Sequence, residues 1–454
     1  MTRREFGISA AAPAVVRSRR PPNIVVLVSD DHSLPYLGCY GDPHIQTPNL
    51  DRLAREGLRF HRAYVTAPQC SPSRASLFTG RTPHAIGCSR LHAPVRAETP
   101  SVLEPLHARG YFTGAFRKHH MGDDFQRRFD FYGNAKAPFE SFFDKAGNRP
   151  FFLWMGFTDP HRPYRPGAIP KPHDPAKVRV PPFLPDTPEV RADLALHYDF
   201  IGRLDGDCGR VLDILEKRKL ADNTIVFFFG DNGMPHPRAK ATLYQPGVQV
   251  PMIVRWPGVT KPGTEAGDLV SAIDLPRTWL DAAGAPPLPA MEGRSLAALL
   301  AGQPYPKRQH IVTERNWHDT WDPQRGIVTQ RHSLICNYRR EVSYRGTLDH
   351  LTDHPRYGGP VWGFILKERK AGRLRPELES LFQAPRPLFE LYDLEKDPNE
   401  FRNLVGQPGS AAIIEELGRA MSAWMEDTND FLPAPFPKQG PDLPTDKLID
   451  GYLA

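Results

Sequence analysis

The chain has 454 residues, too many for one small core and enough for a large α/β domain with a smaller companion. Hydrophobic residues make up 40% and charged residues 24%, and the longest apolar runs, NIVVLV and FFLWMGF, are strand-sized, which excludes a disordered chain and offers no membrane span. The net charge of +6 suits an anionic partner, but no Lys/Arg run is interleaved with aromatics, so nucleic acid is not expected, and five scattered cysteines without a CxxC pair speak against a disulfide framework or a zinc site.

Residues 1–20 carry a twin arginine, a short Ala-rich stretch and an A-P-A triplet, and read as a leader of the twin-arginine export type. The expected location is therefore periplasmic or secreted, with the cytoplasm as the alternative. From residue 21 to about 305, short β-rich runs alternate with helical patterns, the signature of a mostly parallel α/β sheet. NIVVLV (23–28) reads as a strand and TPNLDRLAREGLRF (47–60) as a helix. SRASLFTG (73–80) opens another helix, and TPSVLEPLHARG (99–110) a third. YFTGAF (111–116), PFFLWMGF (150–157) and TIVFFF (224–229) read as strands, with a long helix over 187–219. Residues 306–454 change texture. QHIVTERN, GIVTQRHSLICNY and PLFELYDLEKDP suggest antiparallel strands, and SAAIIEELGRAMSAWMEDT a closing helix, which together make a smaller α+β subdomain.

Each strand of the first part runs into a polar cluster: Ser29-Asp30-Asp31-His32, Arg117-Lys118-His119-His120, Thr158-Asp159-Pro160-His161 and Gly230-Asp231-Asn232-Gly233. Ligands of open parallel sheets bind at the carboxyl ends of the strands, so the four clusters are expected to converge. Asp30, Asp31, Asp231 and Asn232 offer hard oxygen ligands suited to Ca²⁺, with Mg²⁺ the second candidate. Arg74, Lys118, His120, His161 and Lys240 supply cations around them, and a site of this kind fits a sulfate or phosphate ester. Adjacent aspartates after a strand, or Asp-Asn-Gly alone, are more often turns; the coincidence of four clusters favours a site.

Cys70 stands at the mouth of the helix opened by Ser71-Pro72-Ser73, where free N–H groups, the helix dipole and Arg74 one turn on would hold an anion. The same field is expected to lower the thiol pKa. A plain thiolate is nevertheless poorly suited to sulfuryl transfer, because it would leave an S-sulfonated residue with no internal route of release.

CSPSRASLFTGR (70–81) resembles the signature of the type I sulfatases of the alkaline-phosphatase superfamily. The resemblance implies conversion of Cys70 to formylglycine, whose hydrate is both nucleophile and metal ligand, and hence a formylglycine-generating enzyme as maturation partner. It also implies an alkaline-phosphatase-like fold, with a mostly parallel sheet between helices. Asp30 and Asp31, Asp231 and Asn232 match the family's two metal-binding pairs; Lys118 and His120 match its G-K-x-H element, with Arg117 in place of the glycine. His161 matches the histidine near the leaving group, and Lys240 the basic residue on the sulfate. Within the family, FFLWMGFTDPHR, DNGMPHPRAKATLYQPG and WMEDTND look closest to the heparan N-sulfatase (sulfamidase) branch. That likeness implies a sulfated saccharide as substrate, with Asp159 and Arg162 on the sugar and RNWHDTWDPQR, including His318, completing the rim. Lys240 stands where that branch carries Arg, which keeps a broad arylsulfatase, an O-sulfated-sugar sulfatase and a phosphonate or phosphodiester hydrolase as alternatives. The oligomeric state is left open, a dimer included.

Overall fold

The structure is a computed structural model that describes residues 20–134, 136–344, 346–347 and 359–432. Apart from Arg20, the leader expected at 1–20 lies outside the described residues. In chain order the strands are β1 (Asn23–Ser29), β2 (Leu58–Phe60), β3 (Ala63–Tyr64), β4 (Phe112–Arg117), β5 (Phe131–Gly133), β6 (Phe151–Gly156), β7 (Thr224–Gly230), β8 (Met252–Arg255), β9 (Thr264–Ala266), β10 (Val270–Ser271), β11 (Ile311–Trp317), β12 (Trp321–Val328), β13 (His332–Asn337) and β14 (Phe389–Asp393).

Eight of them form one sheet in the order β5-β4-β6-β1-β7-β8-β2-β9. Every pairing is parallel except β7 with β8 and β8 with β2. Because side chains alternate along a strand, β1 feeds two cores. Ile24, Val26 and Val28 pack on one face with Trp154, Phe227 and Trp279. Val25 and Leu27 pack on the other with Leu153, Phe228 and the buried stripe of the long helix Pro188–Lys217. A strand buried on both faces reads as a continuous apolar run, which is how NIVVLV and TIVFFF look in the sequence. A second sheet, β11-β12-β13-β14, is antiparallel throughout, and Val312, Ile327, Leu334 and Leu391 form its core with Leu417 of the helix Ser410–Thr428.

Two expectations are corrected. The helix read over 47–60 ends at Glu56, and Leu58–Phe60 is a strand between β8 and β9. Gly57 makes the break: a Cβ there would lie 2.4 Å from the Val254 carbonyl oxygen, so only glycine lets the chain turn into the sheet at this point. The second correction concerns RNWHDTWDPQR. Its two halves belong to β11 and β12, and only the connection around His318 and Asp319 reaches the cleft. No helix among the described residues is long and apolar enough to cross a membrane.

Candidate active site

β4, β6, β1 and β7 lie side by side and parallel, so their carboxyl ends deliver the four polar clusters to one edge of the sheet. Backbone hydrogen bonds lace the ends together: Asp30 N–H to the Asp159 carbonyl (2.9 Å), Asp231 N–H to that of Ser29 (3.1 Å) and Lys118 N–H to that of Gly156 (2.8 Å). Gly156 permits the last approach, since a Cβ would sit 1.7 Å from the Lys118 carbonyl oxygen.

The helix Cys70–Thr79 points its first residue into this junction, and Cys70 is 2% exposed. Its Sγ lies 3.3 Å from Asp30 Oδ1 and 4.0 Å from Asp31 Oδ1. One ligand atom each from Asp30, Cys70 and Asp231 falls within 4.8 Å of the others, as does one each from Asp31, Cys70 and His161. Asp31 adopts a left-handed backbone (φ 62°), tolerable for aspartate, and its N–H donates to Asp231 Oδ1 (3.1 Å).

Three cations answer the three carboxylates. Arg74 Nε donates to Asp231 Oδ2 (2.7 Å), Lys240 Nζ to Asp31 Oδ2 (2.9 Å) and Lys118 Nζ to Asp30 Oδ2. Arg74 Nη1 donates to the Lys118 carbonyl (2.8 Å), while Nη2 is 3.9 Å from Asp30 and makes no hydrogen bond. Asn232 donates to Asp31 Oδ1 (2.8 Å), and its own Oδ1 is buried without a hydrogen-bond partner. Three buried carboxylates and an orphaned amide oxygen are the donor set of a hard dication, so Asp30, Asp31, Asp231, Asn232 and residue 70 fit the expected metal.

Electrostatics correct the expectation for the cysteine. Burial, and then the charge of Asp30, push the Cys70 thiol well above its ordinary pKa. Enclosure among carboxylates outweighs the helix terminus, and the thiol is not activated. Burial would also raise Asp30, but Lys118, His161 and Arg74 hold it well below the carboxylate range. Burial and the neighbouring Asp30 push Asp231 up to about 7.

His161 Nε2 is 3.7 Å from Asp31 Oδ2, and its Nδ1 is hydrogen-bonded to the Arg162 carbonyl. His120, also left-handed (φ 64°), meets His92 through a 2.6 Å contact between ring nitrogens. Burial, with Lys118 beside it, drives its pKa down to about 2, which keeps the ring neutral.

A cavity of about 540 Å³ opens over Asp30, Cys70, Lys118, His120, His161 and Lys240. Asp159, Arg162 and His318 line it too, but two of these charges are already engaged. Asp159 takes two hydrogen bonds from Arg203 (2.6 and 2.7 Å), and Arg162 gives two to Asp193 (2.8 and 2.5 Å). His318 binds Asp319 through Nδ1 (2.9 Å), and its Nε2 has no hydrogen-bond partner. Sequence reasoning missed His92, Asp193 and Arg203, whereas Asp319 falls within the stretch expected at the rim. Asp193 had left a signal, because it falls in the apolar phase of the long helix with Val190, Leu194, His197 and Ile201. His92, on an irregular loop, left none.

The family model described as Sulfatase matches residues 22–285, and the model described as N-sulphoglucosamine sulphohydrolase, C-terminal, matches residues 238–356. Human N-sulphoglucosamine sulphohydrolase is 30% identical over 90% of this chain and 91% of its own length. An ulvan-active sulfatase of Formosa agariphila is 28% identical over 94% of this chain and 78% of its own. Among solved structures, a protein bound to its substrate D-glucosamine-2-N,6-O-disulfate superposes with a TM-score of 0.69 at 19% identity, covering 91% of this chain and 99% of that one. The phosphonate monoester hydrolase of Agrobacterium radiobacter superposes at 0.70 and 16% identity, covering 90% and 96%. At these identities the structural likeness speaks for the fold.

Proposed function

The chain belongs to the sulfatase family, and from that premise we propose that it removes the N-sulfate from a glucosamine residue of a heparan-type saccharide. The observation that carries the reading is the buried set Asp30, Asp31, Asp231 and Asn232 closing on residue 70, with Arg74, Lys118 and Lys240 around it. Likeness to the human N-sulphoglucosamine enzyme over nine-tenths of the chain supports the N-sulfate.

Asp30, Asp31, Asp231, Asn232 and a formylglycine hydrate at residue 70 would hold one Ca²⁺. The cation supplies Lewis acidity, and the hydrate supplies a hydroxyl nucleophile with a second hydroxyl through which sulfate can later be expelled. Around them the side chains divide the remaining work. Arg74, through its orphaned Nη2, and Lys118 and Lys240, through their ammonium groups, hold the sulfate oxygens and offset charge that grows on them. His161 delivers a proton to the departing nitrogen, its Nδ1 fixed on the Arg162 carbonyl so that Nε2 faces the site. His120, which lines the same cavity as residue 70, accepts the proton whose loss releases sulfate. His318 and the ion-paired Asp159 and Arg162 shape the sugar end of the cavity. Maturation requires a formylglycine-generating enzyme as partner.

A second reading, a sulfatase for O-sulfated sugars or aryl sulfates, is favoured by one observation: Lys240 offers a point charge where a bidentate guanidinium would suit the sulfamidase branch. Sulfate release from N-sulfoglucosamine, an O-sulfated sugar, an aryl sulfate and a phosphodiester decides between them, on protein whose residue 70 conversion is measured by peptide mass spectrometry. The proposal expects the highest kcat/KM on N-sulfoglucosamine and loss of turnover in Cys70→Ala with the fold intact. Near-normal turnover in that variant, or an active enzyme whose residue 70 is wholly thiol, overturns it.

A further inference from the structure

Beside the cavity over Cys70 lies a second one, of about 670 Å³, and the two share a wall made by Lys118, Thr158, Asp159 and Arg203. The far side of the second cavity carries Arg117, Asp207 and Arg210. Its ion pairs do not balance. Asp159 is held by Arg203, and Asp207 accepts from both Arg117 Nη1 and Arg210 Nη2. Three guanidinium groups therefore face two carboxylates, while Lys118 at the shared wall is paired with Asp30 of the first cavity. The side chains of Arg203 and Arg210 are 43% and 62% exposed, so both reach into solvent at the cavity.

Arg117 is the unusual member. Its backbone is left-handed (φ 59°), a conformation that glycine takes freely and a long side chain takes at a cost of about 1 kcal/mol. The surroundings hold it there. The Tyr132 hydroxyl donates to its carbonyl oxygen, and its guanidinium lies 5.4 and 5.6 Å from the Phe139 and Phe157 ring centres. With Arg117 on Asp207, that carboxylate is already neutralised from the strand side, which leaves Arg210 in excess.

We propose that this side cavity is a subsite for a second anionic group, sulfate or carboxylate, on the same saccharide whose N-sulfate enters beside Cys70. Arg210 and Arg203 make the contacts, and Arg117 sets the charge excess. The inference rests on reading the first cavity as the sulfate pocket. A planar guanidinium suits either anion, and a cleft with excess positive charge draws a dianion more strongly than a monoanion.

The test is calorimetric binding to the calcium-loaded Cys70→Ala protein, which does not turn substrate over. The ligands are N-sulfoglucosamine, its 6-O-sulfated form, and N-sulfoglucosamine linked to a uronate. At least one dianionic ligand should bind about tenfold more tightly than the monoanion, and which one does so identifies the second group as sulfate or carboxylate. R210Q and, separately, R117G should shrink that ratio towards one. Equal affinities for all three ligands, or a ratio untouched by both variants, overturns the subsite. Sulfate release by the fully converted wild-type enzyme is a separate readout: its absence would strike the proposed reaction, while the affinity ratio would still decide the subsite.

Discussion

Arg74 touches nearly everything in the pocket: Asp231 through Nε, the Lys118 carbonyl through Nη1, and the open centre through an Nη2 that has no hydrogen bond. It is 0% exposed. Lysine has one donor group on a flexible stem and cannot meet three directions at once. We expect Arg74→Lys to lower kcat/KM by about a hundredfold, the scale of losing one preorganised donor to a developing anion. Steady-state assays beside a melting curve check this, and retention of more than half the activity would mean that the fork geometry is unimportant. At this scale the residue types were legible: carboxylates and an amide at strand ends, with cations facing them, announced an anion and a hard metal. The Cys70 thiol was misjudged because a helix terminus is visible in a sequence, whereas burial against Asp30, forty positions away, is not. The partners of Asp159 and Arg162 were hidden for the same reason, since Arg203 and Asp193 come from the long helix.

The helix Pro48–Glu56 begins after Thr47, a residue type that commonly caps, yet Thr47 does not cap it. Its Oγ1 accepts from Gly38 N–H (2.9 Å) and donates to Asp51 (3.2 Å). The free N–H groups of the first turn are met by Asp205 of the long helix, which accepts from Leu50 N–H (2.8 Å), Asn49 N–H (3.2 Å) and Asn49 Nδ2 (2.8 Å). Two helices far apart in sequence are thereby pinned through one carboxylate. Asp205→Ala should destabilise the protein by about 1–3 kcal/mol, the cost of stranding buried donors, with little effect on turnover. Chemical denaturation measures it, and a change below about 0.5 kcal/mol would show that water replaces the cap. Strands buried on both faces were legible as apolar runs, and the closing helix Ser410–Thr428 was legible from its periodicity. The short β2 was not, because three residues carry no period of their own and only the approach of Val254 to Gly57 explains them.

In the molecule as a whole, the antiparallel sheet braces the loop that carries Lys240. Glu400, which follows β14, accepts from Gln245 N–H (2.6 Å), and the carbonyls of Glu400 and Asn399 accept from Arg238 (2.7 and 3.2 Å). Tyr244 donates to Glu390 of β14 (2.8 Å). Burial raises the Glu400 carboxyl to about 7; the hydrogen bond from Gln245 N–H and the charge of Arg238 oppose the rise, and Glu390 adds to it. A carboxyl whose pKa is higher folded than unfolded stabilises the fold most below the unfolded value of 4.5, and that contribution is lost as pH rises through about 7. Relative to Glu400→Gln, neutral throughout, the wild-type melting temperature should therefore fall from about pH 4.5 to about pH 7 and run level above that. Parallel curves for the two proteins would show that Glu400 titrates normally. A sequence shows the brace only as two separate polar stretches, 238–245 and 390–400, with nothing to say that they meet.

The depth of residue 70 also sets a clock. With 2% of its surface exposed at the carboxyl ends of β1 and β7, the side chain is beyond the reach of any modifying enzyme once the sheet has closed. On the proposed chemistry, conversion and folding therefore race during synthesis. The loser of that race is a folded molecule with a thiol in its pocket. Specific activity would then record the biosynthetic history of a preparation, and purification to homogeneity by size or charge would leave the inert fraction in place.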